Sequence, residues 1–173
     1  MATAATRTGA SKTKSRSTST RQPDAIQLLK ADHREAEATF EQFEKARSKD
    51  RKKALADKVC MALTVHTMIE EELFYPACKG EIEDELVDEA YVEHNGAKQL
   101  IAEIEAGSPE DELWEAKVTV LSEYIKHHVK EEEQRDGMFA QAKKAGLDLK
   151  ALGQQMAMRK EELMAQMKAA KPN

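Results

Sequence analysis

Residues 66–76, HTMIEEELFYP, decide the fold because they place a histidine and a glutamate on the apolar face of one helix. The helix is predicted over residues 52–75, and Pro76 follows it as a typical end signal. Its inward-facing residues recur at steps of three and four: Leu55, Val59, Leu63, His66, Glu70 and Leu73. A buried glutamate costs free energy unless a positive group lies beside it. Glu70 therefore indicates a positive partner inside the fold.

Three further helices each carry a histidine on the same kind of face. The first is predicted to begin near Pro23 and Asp24, the third to cover residues 83–105, and the fourth to open at residues 108–111 and to close at Gly146. The inward-facing residues of the first helix are Ile26, Leu29, His33, Ala36, Phe40 and Phe43. Those of the third helix are Val87, Tyr91, His94, Ala97, Ile101 and Ile104, and those of the fourth are Trp114, Val118, Leu121, Ile125, His128, Glu132 and Phe139. Short connections between helices predict an all-α fold, an antiparallel up-down-up-down four-helix bundle.

The two ends of the chain differ from this bundle. Residues 1–22 are rich in Ser and Thr and basic, which predicts a disordered N-terminal tail, with a transit peptide or a nucleic-acid arm as alternatives. Residues 147–173 predict an extra amphipathic C-terminal helix that either caps the bundle or meets a partner subunit in a homodimer. The expected domains are therefore a tail (1–22), a bundle (23–146) and a C-terminal helix (147–173).

Composition excludes several classes of protein. The formal net charge is −5, and the tail carries +5, so the rest of the chain carries −5 − 5 = −10, which argues against nucleic acid as the main partner. No apolar run approaches the roughly 20 residues that span a bilayer, and no secretory signal is recognisable, so a cytoplasmic protein is expected. The two cysteines, Cys60 and Cys78, are too few for a disulfide framework and are expected to be buried thiols.

The spacing of histidine and glutamate predicts a metal site. Residues four apart on a helix share a face, so His66 with Glu70 and His128 with Glu132 can each direct two donors into the core. With His33 and His94 they supply four imidazoles and two carboxylates, a set that suits iron, with manganese or zinc possible. The Glu-x-x-His pattern of ferritin-type bundles is absent.

One alternative pair and one alternative function stay open at this point. His127 and Glu131 have the same spacing as His128 and Glu132, but only the latter pair continues the apolar stripe of the fourth helix. The histidines and glutamates could also form a polar core without metal, although six buried polar groups in one layer would then need partners.

Four motifs together resemble the hemerythrin-like HHE cation-binding family: residues 32–35 (DHRE), 66–76, 93–95 (EHN) and 127–133 (HHVKEEE). The resemblance covers roughly residues 24–145. It implies a non-haem di-iron site in which Glu70 and Glu132 are bridging carboxylates. The terminal ligands that it implies are His33, His66, His94 and His128.

This chain departs from the family pattern in two places. Oxygen-carrying hemerythrins have a second histidine one turn after that of the third helix, where this chain has Lys98. The fourth motif of the family continues into an apolar-Phe-Pro end, where residues 134–140 read QRDGMFA. What the resemblance implies is a protein with two carboxylate-bridged iron ions that binds or senses dioxygen, peroxide or nitric oxide. A di-iron peroxidase or nitric-oxide reductase, or an iron donor in stress repair, is the alternative.

Overall fold

The computed structural model describes residues 22–170, and all regular structure in that range is helical. Its elements are α1 (Ala25–Lys45), α2 (Lys49–Ile69), a π-helix (Glu70–Phe74), α3 (Tyr75–Cys78), α4 (Asp84–Ala106), α5 (Trp114–Glu133), α6 (Met138–Ala145) and α7 (Leu149–Ala170). Helices α1, α2, α4 and α5 form the predicted antiparallel four-helix bundle, and α7 is the predicted extra helix. The predicted disordered tail lies outside the described residues, apart from position 22.

The start of α1 is fixed by its first residues. The backbone N–H of Gln27 donates to Asp24 Oδ1 at 2.8 Å, and the backbone N–H of Asp24 donates to Gln27 Oε1 at 3.0 Å. This reciprocal capping box satisfies two backbone donors that would otherwise lack partners. The predicted start near Asp24 is therefore confirmed.

The end of the second bundle helix differs from the prediction of one continuous helix. The helix widens at Glu70–Phe74, where the backbone N–H of Tyr75 donates to the carbonyl oxygen of Glu70. This extra residue in the turn changes the face on which later side chains lie. Phe74 and Tyr75 are fully buried, whereas Leu73, which was predicted to face inward, is only partly buried and packs against the edge of the core.

The fourth bundle helix is shorter than predicted at both ends. Residues 108–111 form a turn, closed by the backbone N–H of Ser108 donating to Asp111 Oδ2 at 2.7 Å, and α5 begins only at Trp114. The helix ends at Glu133, and the separate helix α6 follows before Gly146 (φ 79°) ends it. Because α6 turns back over the bundle, Phe139 stacks on the ring of His33, with centroids 5.9 Å apart.

Gly137 permits the tight connection between α5 and α6. A Cβ at this position would lie 2.1 Å from the carbonyl oxygen of Glu131. We expect Gly137→Ala to lower the free energy of unfolding by about 1–3 kcal/mol, because backbone rather than a flexible side chain must move. Urea denaturation measures the change.

A matched control for this substitution is Gly96→Ala. The added Cβ would lie 2.6 Å from the hydroxyl of Tyr124, a side chain that is 38% exposed and can swing away. We expect Gly96→Ala to be neutral or stabilising, because alanine favours helix. A Gly137→Ala protein that is as stable as Gly96→Ala would show that the α5–α6 connection tolerates a side chain.

The apolar core consists of two clusters separated along the bundle. One lies toward α6 and α7 and contains Leu29, Ile69, Phe74, Val87 and Met156, among others. The other contains Phe40, Leu63, Ile101, Trp114 and Leu121, among others. Cys60 and Cys78 are buried, as predicted. A layer of histidine and glutamate lies between the two clusters, and it forms the candidate site.

Helix α7 packs across α1, α2 and the π-helix. It approaches α1 closely at Gly153, where a Cβ would lie 2.6 Å from the backbone nitrogen of Ala25. Its own Met156 and Leu163 are buried in the core, and its Arg159 forms ion pairs with Glu72 at 2.6 and 3.1 Å. No helix among residues 22–170 combines the length and the apolar character needed to cross a bilayer.

Candidate metal centre

The six residues predicted to bind metal come together in the layer between the two apolar clusters, and all six are buried. Helices α1, α2, α4 and α5 each contribute one histidine, and Glu70 and Glu132 lie four residues after those of α2 and α5. The layer contains His33, His66, Glu70, His94, His128 and Glu132.

The histidines form two pairs through their Nε2 atoms. The Nε2 atoms of His33 and His66 are 3.2 Å apart, and those of His94 and His128 are 3.3 Å apart. Four nitrogens therefore point inward, from opposite sides of the bundle, toward the two glutamates.

Each glutamate reaches both histidine pairs. Glu70 Oε2 lies 3.1 Å from His66 Nε2 and 3.3 Å from His94 Nε2. The two oxygens of Glu132 divide between the pairs, with Oε2 3.4 Å from His33 Nε2 and Oε1 3.6 Å from His128 Nε2. Both carboxylates therefore connect the two halves of the layer.

Two carboxylate oxygens of this layer are buried without a hydrogen bond. They are Glu70 Oε1 and Glu132 Oε2, the latter lying near His33 Nε2 without hydrogen-bond geometry. Native proteins rarely bury polar atoms without partners, because each costs the free energy of its lost hydration. The donor set, with inward imidazole nitrogens and unpaired carboxylate oxygens, fits bound metal ions.

Without metal, the charges in this layer stabilise one another. Burial alone would lower the pKa of His66, but the carboxylates of Glu70 and Asp32 outweigh it and raise that pKa to about 10. Burial likewise opposes the charge on His128, yet Glu132, Glu93 and Glu70 raise its pKa to about 9. Burial by itself would raise the pKa of Glu70, but the nearby imidazoles hold it well below its usual value.

A second ring of carboxylates surrounds the histidines. The Nδ1 atom of each histidine faces a carboxylate oxygen: His33 faces Glu133 at 2.8 Å, His66 faces Asp32 at 3.5 Å, His94 faces Glu71 at 2.9 Å, and His128 faces Glu93 at 2.7 Å. Histidines that bind metals commonly use the second ring nitrogen in this way, which fixes the ring and raises its basicity. We call these four acids the outer carboxylates.

The outer carboxylates connect the helices in a closed cycle. Asp32 of α1 supports the histidine of α2, and Glu71 of the π-helix supports that of α4. Glu93 of α4 supports the histidine of α5, and Glu133 of α5 supports that of α1. Each helix therefore orients the histidine of the next one, and the order of the helices is built into the site.

Comparison with known proteins identifies the family. The family model "Hemerythrin HHE cation binding domain" matches residues 24–142. This chain belongs to the hemerythrin HHE cation-binding family. Membership makes it a metal-binding helical protein, and the predicted resemblance is confirmed.

Two individual proteins are similar to this HHE domain. A solved structure of a hemerythrin HHE cation-binding domain-containing protein from Mycobacterium kansasii has a TM-score of 0.69 and 23% identity, and the match covers 83% of this chain and 89% of that one. This similarity shows a shared fold. A curated protein from Nostoc sp., named a DNA nickase, is 25% identical over 106 residues, which are 61% of this chain and 30% of that protein. The chain thus spans under a third of the length of that relative.

Within the HHE domain, the two adjacent histidines of α5 have different surroundings. His128 is buried in the layer, whereas the side chain of His127 is 63% exposed. His127 Nε2 lies 3.1 Å from Glu131 Oε1 and 3.4 Å from Glu93 Oε1, on the outside of the bundle. The alternative pair His127 and Glu131 therefore lies outside the layer.

Sequence reasoning missed Tyr75 and the outer carboxylates. The hydroxyl of Tyr75 lies in the layer, 3.0 Å from His94 Nε2 and 3.2 Å from Glu132 Oε1. Only the π-helix directs Tyr75 inward.

The acids that lie beside Glu70 and Glu132 in the sequence have two kinds of surroundings in the structure. Glu72 and Glu131 point outward, whereas Glu71 and Glu133 support histidines. The signal that could have found the outer carboxylates is an acid next in sequence to a core residue in every motif: Asp32 with His33, Glu71 with Glu70, Glu93 with His94 and Glu133 with Glu132.

Proposed function

We propose that this HHE domain holds two iron ions and binds or senses a small ligand, such as dioxygen, peroxide or nitric oxide, at open iron positions. The ligands would be His33, His66, Glu70, His94, His128 and Glu132. The observation that carries the proposal is the convergence of four imidazole nitrogens on two buried carboxylates that keep unpaired oxygens.

Two ions, rather than one, are supported by how the donors group. His33, His66, Glu70 and Glu132 place one ligand atom each within 4.8 Å of one another, and Glu70, His94 and His128 form a second such group. Glu70 belongs to both groups, which suits a carboxylate shared by two ions. Mixed imidazole and carboxylate donors with open positions favour iron. The bound iron would supply redox chemistry and vacant coordination positions.

Lys98 supports the expectation of vacant positions. It stands where oxygen-carrying hemerythrins have an additional histidine. Its Nζ lies 2.6 Å from both oxygens of Glu71, which in turn faces His94. Lys98 therefore stabilises an outer carboxylate, and the layer contains four histidines rather than five.

A cavity between α1 and α5 offers a small ligand a route to the centre. It has a volume of about 320 Å³, and its wall includes His33, Phe40, Ile125 and Val129. Small-molecule sites are commonly cavities of this size. We propose that ligands approach the His33 side of the centre through it.

The route can be tested by filling the cavity. We expect Val129→Trp to slow the binding of nitric oxide to anaerobic, iron-loaded protein several-fold without changing the iron content, because the indole occupies the space that the ligand crosses. Stopped-flow absorption measures the rate. Val120→Trp is the matched control, since Val120 lies on the same helix but is 52% exposed. Equal rates in all three proteins would exclude this route.

Turnover of peroxide or nitric oxide is the second candidate function, and Tyr75 favours it. Burial raises the pKa of the Tyr75 hydroxyl well above its ordinary value, and Glu70 and Glu132 raise it further, so the hydroxyl keeps its proton. It therefore lies in the layer as a hydroxyl that can donate a hydrogen bond to a bound ligand. An iron donor in stress repair has no comparable observation in its favour.

Tyr75→Phe separates binding from turnover. If the domain is an enzyme, we expect this variant, supplied with an external reductant, to keep its iron but to consume peroxide or nitric oxide at least several-fold more slowly, because the hydrogen-bond donor is lost. Iron analysis and an oxygen or nitric-oxide electrode give the two readings. A wild-type protein that binds the ligand without consuming it would limit the function to binding or sensing.

A further inference from the structure

We propose that Lys160 of α7 is a positioning residue of the metal centre, which holds Asp32 so that Asp32 orients His66. The inference rests on the proposed function, because it concerns one of the two proposed metal positions. It goes beyond the family, since the family model matches residues 24–142 and α7 spans Leu149–Ala170.

A chain of three contacts connects α7 to the centre. The ammonium group of Lys160 forms a short ion pair with Asp32 Oδ1. The other oxygen, Asp32 Oδ2, lies 3.5 Å from His66 Nδ1, and His66 Nε2 points into the layer, 3.1 Å from Glu70 Oε2. The side chain of Asp32 is only 13% exposed, so water can do little to replace a lost cation.

The other three outer carboxylates are held from within the bundle. Lys30 and Arg34 of α1 hold Glu133, Lys98 of α4 holds Glu71, and His127 of α5 lies beside Glu93. Among the described residues, Asp32 alone has a cation that comes from outside the four bundle helices. His66 therefore depends on a contact from α7, whereas the other three histidines of the layer do not.

The contact that Lys160 supports is also the longest of the four. The distance from His66 to Asp32 is 3.5 Å, whereas the other three histidines lie 2.7 to 2.9 Å from their outer carboxylates. Without Lys160, an almost buried carboxylate would lack its nearest cation and would turn toward solvent. His66 would then lose the group that sets its ring orientation and basicity, a change that typically weakens metal binding about 10- to 100-fold.

The test compares three variants of the full chain. Lys160→Met removes the ammonium group but keeps the apolar stem, Lys160→Arg restores a cation, and Arg159→Met is the matched control. Arg159 is the neighbouring residue and also pairs α7 with the bundle, but its partner Glu72 contacts no histidine of the layer. Loss of α7 docking alone should therefore affect the two methionine variants alike.

Two readouts separate positioning from docking. In anaerobic titrations with ferrous ion, we expect Lys160→Met to raise the dissociation constant of one of the two ions about tenfold or more. Lys160→Arg and Arg159→Met should bind both ions like the wild type. In metal-free protein, nitrogen NMR should show a changed ring signal for His66 in Lys160→Met but not in Arg159→Met.

Each outcome has a definite meaning. If the wild type binds two ions while Lys160→Met and Arg159→Met titrate alike, Lys160 only docks α7 and the inference is wrong. If the wild type binds no metal, the proposed function fails instead. The NMR comparison then still decides whether Lys160 positions His66 through Asp32, because it needs no metal: an unchanged His66 signal would overturn the inference.

Discussion

Glu70→Gln is expected to weaken the binding of each of the two proposed metal ions by more than about 100-fold. The reason is the shared position of this carboxylate, whose Oε2 lies 3.1 Å from His66 Nε2 and 3.3 Å from His94 Nε2. Glutamine keeps the shape but removes the negative charge that draws cations into a buried site. Metal analysis after anaerobic loading and desalting measures the loss.

The matched control for this prediction is Glu72→Gln. Glu72 lies in the same π-helix but is exposed and pairs with Arg159, so its variant should keep the full metal content. Metal-free Glu70→Gln should still fold, because His66, whose pKa is raised mainly by Glu70, can then lose its proton and leave no unpaired buried charge. A folded Glu70→Gln protein that retains two ions would contradict the proposed ligand set.

Metal affinity is expected to rise steeply with pH, about 100-fold per unit between pH 7 and 9. In the metal-free protein, neighbouring carboxylates raise the pKa of His66 to about 10 and that of His128 to about 9, despite their burial. Both imidazoles are therefore protonated at neutral pH, and metal must displace about two protons to bind them. Each displaced proton makes the metal affinity rise about tenfold per pH unit, and the affinity should stop rising above these pKa values.

The stability of the metal-free protein should change in the opposite direction. A group whose pKa is raised by folding stabilises the folded state fully at pH values below its pKa in the unfolded chain, here about 6.5. It loses that contribution as the pH rises through its pKa in the folded protein. Metal-free protein should thus become less stable from about pH 6.5 to 10, while the added stability from metal grows. Calorimetric titrations in buffers of different ionisation enthalpy count the released protons. A pH-independent affinity would show that the histidines are neutral before metal arrives.

The positions of the ligand candidates could be predicted because they depend only on helical periodicity. His33, His66, His94 and His128 recur in phase with apolar residues on their own helices, and burial of those stripes brings the histidines together whatever the connections are. The same reasoning predicted the four-helix bundle and the amphipathic C-terminal helix. It needed no knowledge of how one helix is rotated against the next.

The π-helix could not be predicted from such a stripe. Pro76 lacks a backbone N–H and cannot donate to the carbonyl oxygen four positions earlier, that of Glu72, so regular α-helical hydrogen bonding is interrupted there. The widened turn at Glu70–Phe74 directs Tyr75 into the layer. A stripe that assumes equal turns therefore placed Leu73 inward instead.

The outer carboxylates depend on contacts between helices. Glu71 and Glu133 lie at the edge of a buried face, where a charged residue points outward on most helices. These two glutamates contact the layer only because a neighbouring helix places a histidine beside them: the Nδ1 of His94 faces Glu71, and the Nδ1 of His33 faces Glu133. The break after Glu133 is likewise set by the close approach of Gly137 to backbone rather than by periodicity.

The metal centre is tested most directly by the iron content and the visible spectrum of protein purified from iron-supplemented medium. We expect about two irons per chain, with near-ultraviolet charge-transfer absorption that is lost in His66→Ala and His128→Ala but kept in His127→Ala, because His127 lies outside the layer. A wild-type protein without iron, whose thermal stability does not change when ferrous ion is added, would contradict the di-iron assignment.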